Sequence, residues 1–486
     1  MGNILGSLQP AALWNHFEEI CKIPHPSKHE EAIRNHIVKW AKELNLETKV
    51  DEVGNVIIRK PATPGMENRK GIVLQGHIDM VPQKNNDTVH DFEKDPIIPW
   101  IDGEWVRAKG TTLGADNGIG VAAAMAVLEA KNLVHGPLEA LFTIDEETGM
   151  TGAFGLKSGL LKADILMNLD TEEEGDLCVG CAGGTNANIK FHFSEEKVPA
   201  DMVSYKVTVK GLKGGHSGVD INLERGNSNK ILNRILWFAN KNMGLQLSSI
   251  DGGSLRNAIP RESAAIITLP KTNADAFAKY VKEFTAIVIN EYKGVETDLT
   301  ISVEPTDMPA FVIDKKTTFN FLNAIYATPN GVMRDSQDMK GLVETSTNLA
   351  IVKSKDKTIE VMCLLRSSVD SAKDDLEKMI ESVYNLAGAE SVFNGSYPGW
   401  KPNMASPILK EMLAAYEKQF GTKPHISAIH AGLECGLLGG VYKNWDMISF
   451  GPTICFPHSP DEKVNVPSVK KFWDFLVETL KNAPVK

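Results

Sequence analysis

No stretch of the 486 residues approaches the run of about 18 apolar residues that a membrane-crossing helix needs, so a membrane-embedded protein is not expected. The opening residues 1–10 lack the basic start and apolar core of a secretory signal, and acidic residues follow soon after. The expectation is a soluble, cytoplasmic protein. Cysteine is scarce: six residues cannot frame a disulfide scaffold in a chain of this length. Cys178 and Cys181 form one C-x-x-C among glycines with no second pair, and the segment reads as a small-residue turn rather than half a zinc or redox site. Without an export signal, the sequons Asn86-Asp87-Thr88 and Asn394-Gly395-Ser396 read as accidents of composition. Basic residues are also in deficit, 52 against 62 acidic. The net charge of −10 would repel phosphate backbones, so nucleic acid is not an expected partner. What is present is ordinary globular usage, 42% hydrophobic and 23% charged.

Apolar spacing organises the chain. Leu13, Phe17, Ile20 and Cys21, then Ile33, Ile37, Trp40, Ala41 and Leu44, predict two opening helices, the second capped by Ser27. Residues 55–60, 71–76, 138–144 and 163–169 read as strands, and 119–128 as a small-residue helix apolar all round. This alternation predicts an α/β layer with a mostly parallel sheet. After Gly183-Gly184 the order becomes strand–helix–strand–strand–helix–strand, once clearly and again in part, the order of ferredoxin-like units. Residues 1–184 and 401–486 are therefore expected to form one domain, interrupted by an inserted α+β domain over 185–400.

Acids and histidines recur where the first domain's strands end. His77 and Asp79 follow residues 72–75, Glu146 and Glu147 follow 141–145, and Asp170 ends 165–169. Asp116 lies in the turn Leu113-Gly114-Ala115-Asp116-Asn117-Gly118, and His458 in Phe456-Pro457-His458-Ser459-Pro460-Asp461-Glu462. Ligands of open α/β sheets bind beyond the carboxyl ends of strands. Each feature alone has a bland reading: a satisfied His–Asp pair, a solvated pair of glutamates, an Asp-Asn-Gly turn. Together, two histidines and three carboxylates suffice for two divalent metals sharing one carboxylate, with Asp79 orienting His77. Residue type does not separate zinc from cobalt or manganese. Gly118-Ile119-Gly120-Val121-Ala122-Ala123 fits G-x-G-x-x-A, but a turn precedes it and Asp116 stands where a pyrophosphate would lie. Dinucleotide binding is not expected.

Four segments, Gln75-Gly76-His77-Ile78-Asp79-Met80-Val81, Gly110-Thr111-Thr112-Leu113-Gly114-Ala115-Asp116-Asn117-Gly118, Thr143-Ile144-Asp145-Glu146-Glu147-Thr148-Gly149 and Pro457-His458-Ser459-Pro460, resemble the M20 metallopeptidases. Within that family the chain is similar to the aminoacyl-histidine dipeptidases (peptidase D or carnosinase type), from Ile23-Pro24-His25-Pro26-Ser27 to the final helix. The resemblance implies a zinc-aminopeptidase-like catalytic domain with an inserted lid. It implies two Zn²⁺ per chain, with Asp116 bridging, His77 and Asp170 completing one site, and Glu147 and His458 the other. Glu146 would be the general base, Asp79 the support of His77, and Asp116–Asn117 a cis peptide. From the lid, His216 matches the histidine that reaches the active site, and Asn257 and Arg366 match substrate-binding residues. Gly432 matches a backbone contact for the substrate terminus. The implied activity is hydrolysis of unblocked Xaa-His dipeptides such as β-Ala-His. An aminoacylase or tripeptidase on the same scaffold is the runner-up, and a metal-free binding or scaffold protein a third reading. The implied partner is a small dipeptide, and exposed strand edges of the insert leave a homodimer open.

Overall fold

The computed structural model describes residues 4–486; Met1–Asn3, the start of the segment examined for a leader, lie outside the described residues. The chain divides into two units. One comprises the chain up to Gly180 with Pro402–Ala428 and Leu433–Lys486, and the other Cys181–Lys401 with Ile429–Gly432. Among the described residues, no helix is long and apolar enough to cross a membrane.

The first unit is built on an eight-stranded sheet. Four neighbouring strands run parallel, Leu138–Thr143, Ile72–His77, Ile165–Asn168 and Asp446–Ser449. The first three are buried along their whole length, as expected of strands covered on both faces. The margins are antiparallel. Val56–Lys60 pairs with Leu138–Thr143, and Glu47–Val50 folds back on Val56–Lys60. On the other side Asp176–Cys181 runs antiparallel to Asp446–Ser449. That strand corrects the turn read at Cys178 and Cys181: both cysteines are buried in extended backbone, where glycine and cysteine hide the usual strand alternation. A smaller four-stranded sheet joins Pro99–Asp102 and Trp105–Ala108 to Lys463–Asn465 and Ile454–Cys455.

Helix Ala115–Glu129 is apolar and almost wholly buried, and packs on helix Ala11–Cys21. Its glycines serve that packing. A Cβ at Gly118 would lie 3.0 Å from the Phe17 ring, and one at Gly120 would collide with the Leu169 carbonyl. The second helix, Glu31–Glu43, begins beyond Ser27 with Glu30 at its cap position. The predicted Ser27 cap is therefore corrected: its hydroxyl donates instead to Asp79 Oδ2 at 2.8 Å.

The second unit is a nine-stranded antiparallel sheet flanked by helices. Met202–Lys210, helix Ser228–Met243, Gln246–Gly252, Ser263–Pro270, helix Ala274–Tyr292 and Thr300–Pro305 form one ferredoxin-like unit, with its strands in the spatial order fourth, first, third, second. Gly183–His192, helix Lys315–Ala327, Val343–Lys355, Thr358–Ser367, helix Asp370–Leu386 and Glu390–Tyr397 form another with the same order. They join where Asp251–Gly252 pairs with Val352–Lys353. The opening strand of the later unit precedes the whole of the earlier one, which is why the linear pattern shows one unit clearly and the other only in part.

Candidate functional site

The parallel strands of the first unit deliver His77, Glu146, Glu147 and Asp170 to one end of the sheet, and two loops bring Asp116 and His458 to the same place. His77 ends its strand, buried. Its Nε2 lies 3.1 Å from Asp116 Oδ1 and 3.4 Å from Asp170 Oδ1. His458 Nε2 lies 3.2 Å from the other Asp116 oxygen, Oδ2, and 3.0 Å from Glu147 Oε2. Asp116 thus presents one carboxylate oxygen to each histidine. The following peptide bond, Asp116–Asn117, is cis. The Asn117 side chain fills the space where Gly76 has no Cβ, and its Nδ2 donates to the Leu169 carbonyl at 2.6 Å. One residue thereby ties the Asp116 loop to the positions preceding His77 and Asp170.

Asp79 has two attachments. The nearest acceptor to His77 Nδ1 is the Asp79 backbone carbonyl at 3.0 Å, with the carboxylate oxygen Oδ1 at 3.4 Å. This places the ring proton on Nδ1 and leaves Nε2 as a lone-pair donor. The Asp79 carboxylate also accepts the backbone N–H groups of Glu146 (3.0 Å) and Glu147 (3.2 Å), fixing the first turn of the short helix Glu146–Gly149. Burial works against the Asp79 charge, but His77 and these donors hold its pKa down at about 2. Asp145 before that helix is left-handed (φ 51°), as are Phe456 (56°) and His458 (59°). Such conformations of non-glycine residues cluster where surrounding structure dictates the backbone.

The electrostatics are those of a crowded anionic site. Burial raises Glu146 to about 8, helped by the charges of Glu434, Glu147 and Asp116, and burial likewise raises Asp170 to about 8. His458 is raised to about 11 by its hydrogen bonds to Asp116 and Glu147. His77 is raised well above its ordinary value: burial opposes its cation, but Asp170, Asp116 and Asp79 outweigh it. Two groups, His77–Asp116–Asp170 and Asp116–Glu147–His458, each offer ligand atoms within 4.8 Å of one another. Glu147 Oε1 and Asp170 Oδ1 are buried with no hydrogen-bond partner among the described residues. Buried carboxylates in this number need cations, and a mixed imidazole–carboxylate set suits zinc, cobalt or manganese. The residues fit a pair of divalent ions.

Sequence reasoning missed the groups beneath these ligands. Glu434, buried, accepts from Gln75 Nε2 (2.6 Å) and Thr143 Oγ1 (2.8 Å), and Gln75 Oε1 accepts from Asn168 Nδ2 (2.6 Å). Gln75 and Asn168 each stand two residues before a candidate ligand, on the same strand face, so strand alternation alone could have pointed to them. The carboxylate of Glu462 accepts the backbone N–H groups of Leu113, Gly114, Ala115 and Asp116. Burial pushes it up to about 7, against the pull of those donors.

The second unit holds the other predicted residues. His216 lies in a two-stranded ladder, Gly215–His216 against Ala258–Ile259, with Asn257 adjoining it. The Asn257 carbonyl accepts Ser217 N–H at 2.8 Å. His216 Nδ1 accepts from the backbone of Gly218 (3.2 Å) and Val219 (3.0 Å), which leaves the ring proton on Nε2. Burial and the Arg366 charge lower its pKa, favouring the neutral ring. Arg366 is buried, its Nη2 at 3.5 Å from both His216 Nε2 and Ser217 Oγ. Its Nε has no hydrogen-bond partner among the described residues, an opening for an anion. A Cβ at Gly432 would meet the Tyr397 hydroxyl at 2.9 Å. Tyr397, which also bonds Arg366, and His430, with Nε2 2.7 Å from Ser346 Oγ, were not legible as site residues.

The family model for Peptidase family M20/M25/M40 matches residues 73–482. The Cytosol non-specific dipeptidase of Escherichia coli (strain K12) is 50% identical over 482 residues, 99% of each chain. The crystal structure of Aminoacylhistidine Dipeptidase from Vibrio alginolyticus superposes with a TM-score of 0.96 at 52% identity, covering 99% of this chain and 98% of that one. Aminopeptidase PepT from Bacillus cereus shares the fold at a TM-score of 0.57 and 17% identity, covering 98% of this chain and all of its own. On these matches and the motifs at the sheet's carboxyl end, the chain belongs to the peptidase family M20/M25/M40.

Proposed function

We propose that the chain is a metal-dependent dipeptidase that hydrolyses unblocked Xaa-His and related dipeptides, with two Zn²⁺ ions held by His77, Asp116, Glu147, Asp170 and His458. The observation that carries the reading is Asp116, whose two carboxylate oxygens face one histidine each. Bound there, a pair of divalent cations supplies an acidified water at neutral pH and a sink for negative charge on the scissile carbonyl oxygen.

The chain's own residues divide the remaining work. The carboxylate of Glu146, adjacent to the ligand Glu147, takes the proton of the attacking water and returns it to the leaving amine nitrogen. Asp79 fixes the helix turn carrying both glutamates and holds the His77 Nδ1 proton, so that Nε2 is the atom turned to a metal. His216, with its proton on Nε2, donates to the developing oxyanion. Arg366 takes the substrate's carboxylate, a bidentate role lysine fills poorly, with Asn257 and the backbone at Gly432 completing its binding. Capture of a terminal carboxylate favours short substrates. We assign residues 185–400 as the lid and the rest as the catalytic domain, place the protein in the cytoplasm, and include a homodimer in the proposal, which sedimentation at several concentrations checks.

The deciding measurement is a hydrolysis panel of Xaa-His dipeptides, other dipeptides, tripeptides and N-acetylated amino acids, on chelated protein and after zinc restoration. Zinc-dependent turnover that is fastest for Xaa-His dipeptides is expected. Faster cleavage of acylated amino acids or tripeptides, or turnover untouched by chelation, would overturn the reading.

A further inference from the structure

Helix Ala115–Glu129 is entered through Gly114, a left-handed residue (φ 73°) with no side chain for capping, and its backbone is non-helical at Asp116 (φ −83°, ψ 108°) and Asn117 (φ −104°, ψ 26°). The N–H groups of this irregular turn find no helical acceptors, and in a buried segment water cannot supply them. Here they come from the far end of the sequence. Glu462 Oε2 accepts from Leu113 (2.7 Å) and Gly114 (3.0 Å), and Oε1 from Ala115 (2.7 Å) and Asp116 (3.3 Å). Both oxygens are used twice, and the residue is 2% exposed. Glu462 also belongs to the His458 turn, its N–H donating to the Ser459 carbonyl at 2.9 Å. It leads directly into Lys463–Asn465, which pairs with Trp105–Ala108.

We propose that Glu462 is a positioning residue that clamps the Asp116 loop to the His458 turn and so sets the metal-binding geometry of Asp116, Glu147 and His458. The inference rests on the proposed metal pair and names a determinant of it outside the ligand set. A carboxylate alone among side chains offers four acceptor positions in one plane. In Glu462→Gln the amide NH₂ would face two backbone N–H donors and two buried donors would lose their acceptor. The Asp116 loop would keep its Asn117 tie to the Leu169 carbonyl but lose half of its clamp to the His458 turn, and Asp116 Oδ2 would lose its registration with His458.

The test uses the full chain, with zinc affinity measured by chelator competition and site geometry by the visible spectrum of the cobalt-substituted protein. In Glu462→Gln the affinity for one of the two ions is expected to fall about 10- to 100-fold, the usual penalty for losing a group that orients a ligand. The cobalt bands of that site change, and kcat returns at saturating zinc with KM unmoved. Glu462→Asp, which keeps the charge and shortens the reach, shows a smaller loss in the same direction and carries the test if the glutamine variant does not fold. A lowered melting temperature with wild-type zinc affinity and an unchanged cobalt spectrum overturns the inference, since that is the signature of a purely structural role. Wild-type protein that binds no ion fails the metal reading itself, a different outcome from wild-type binding in both variants.

Discussion

Of the two histidines that flank Asp116, His77 is 1% exposed at the end of a buried strand, whereas His458 is 53% exposed in a turn between two short strands. His77 is oriented within its own neighbourhood, by the carbonyl and carboxylate of a residue two positions on. His458 is oriented from a distance, on a left-handed residue whose turn is anchored through Glu462 to a loop near the other end of the chain. The comparison separates two ways of holding a ligand. One is a rigid sheet edge that buries the ligand and demands compensating charge. The other is an exposed loop whose geometry depends on a clamp.

The largest expected effect removes what the two sides share. Asp116→Asn should lose metal from both sites, and kcat/KM should fall beyond the 10²–10⁴-fold, roughly, that a general base alone provides. Metal content and turnover measured on one preparation check it, and retention of both ions would break the bridging role. Glu146→Gln should lower kcat by about 10²–10⁴-fold while two ions stay bound, because the proton shuttle is not a ligand. Wild-type kcat in that variant would remove Glu146 from its role.

Next come the two sides themselves, compared in chelated protein. His77→Ala leaves Asp79 and Asp116 buried without their partner and should destabilise the fold by about 3–5 kcal/mol, the cost of breaking a buried pair. His458→Ala, half open to solvent, should cost about 1 kcal/mol or less. Denaturant midpoints of both variants decide the matter, and equal losses would erase the distinction. A further effect, read as a slope in pH, lies in the second unit. Burial, with Arg366 and His216 adding to it, lowers His430 to about 3. Below pH 6.5 the unfolded chain binds a proton that the folded His430 refuses, so stability should decline as pH falls from about 6.5 toward 3. At pH 5 this amounts to at most about 2 kcal/mol. His430→Gln should flatten that acid limb, and an unchanged slope between pH 7 and pH 5 would exclude it.

The sequence displayed His77, Glu147 and Asp170 because they follow apolar runs of strand length, so position along the chain stood in for position in space, whereas Asp116 and His458 stood out through the turn motifs around them. That correspondence fails for groups whose partners are remote. Glu462 sits inside a quoted motif, yet nothing local distinguishes it from a solvated acid, since its four donors lie some 350 residues earlier. Tyr397 and His430 have the same difficulty. The four-stranded sheet escaped notice because its strands are two to four residues long, too short to show alternation. Ser27 shows the opposite failure, a plausible local cap diverted by a tertiary partner.

The nesting of the two ferredoxin-like units has a consequence for a chain emerging from the ribosome. His192 must wait for Thr358, roughly 170 residues, which is on the order of ten to thirty seconds of elongation at about 5–20 residues per second. Throughout that interval the strand Gly183–His192 has been made but neither of its neighbours exists, while the unit encoded between them has all its strands once Pro305 is made. Nascent-chain handling should therefore matter most for a stretch that, in the finished protein, is among the best paired.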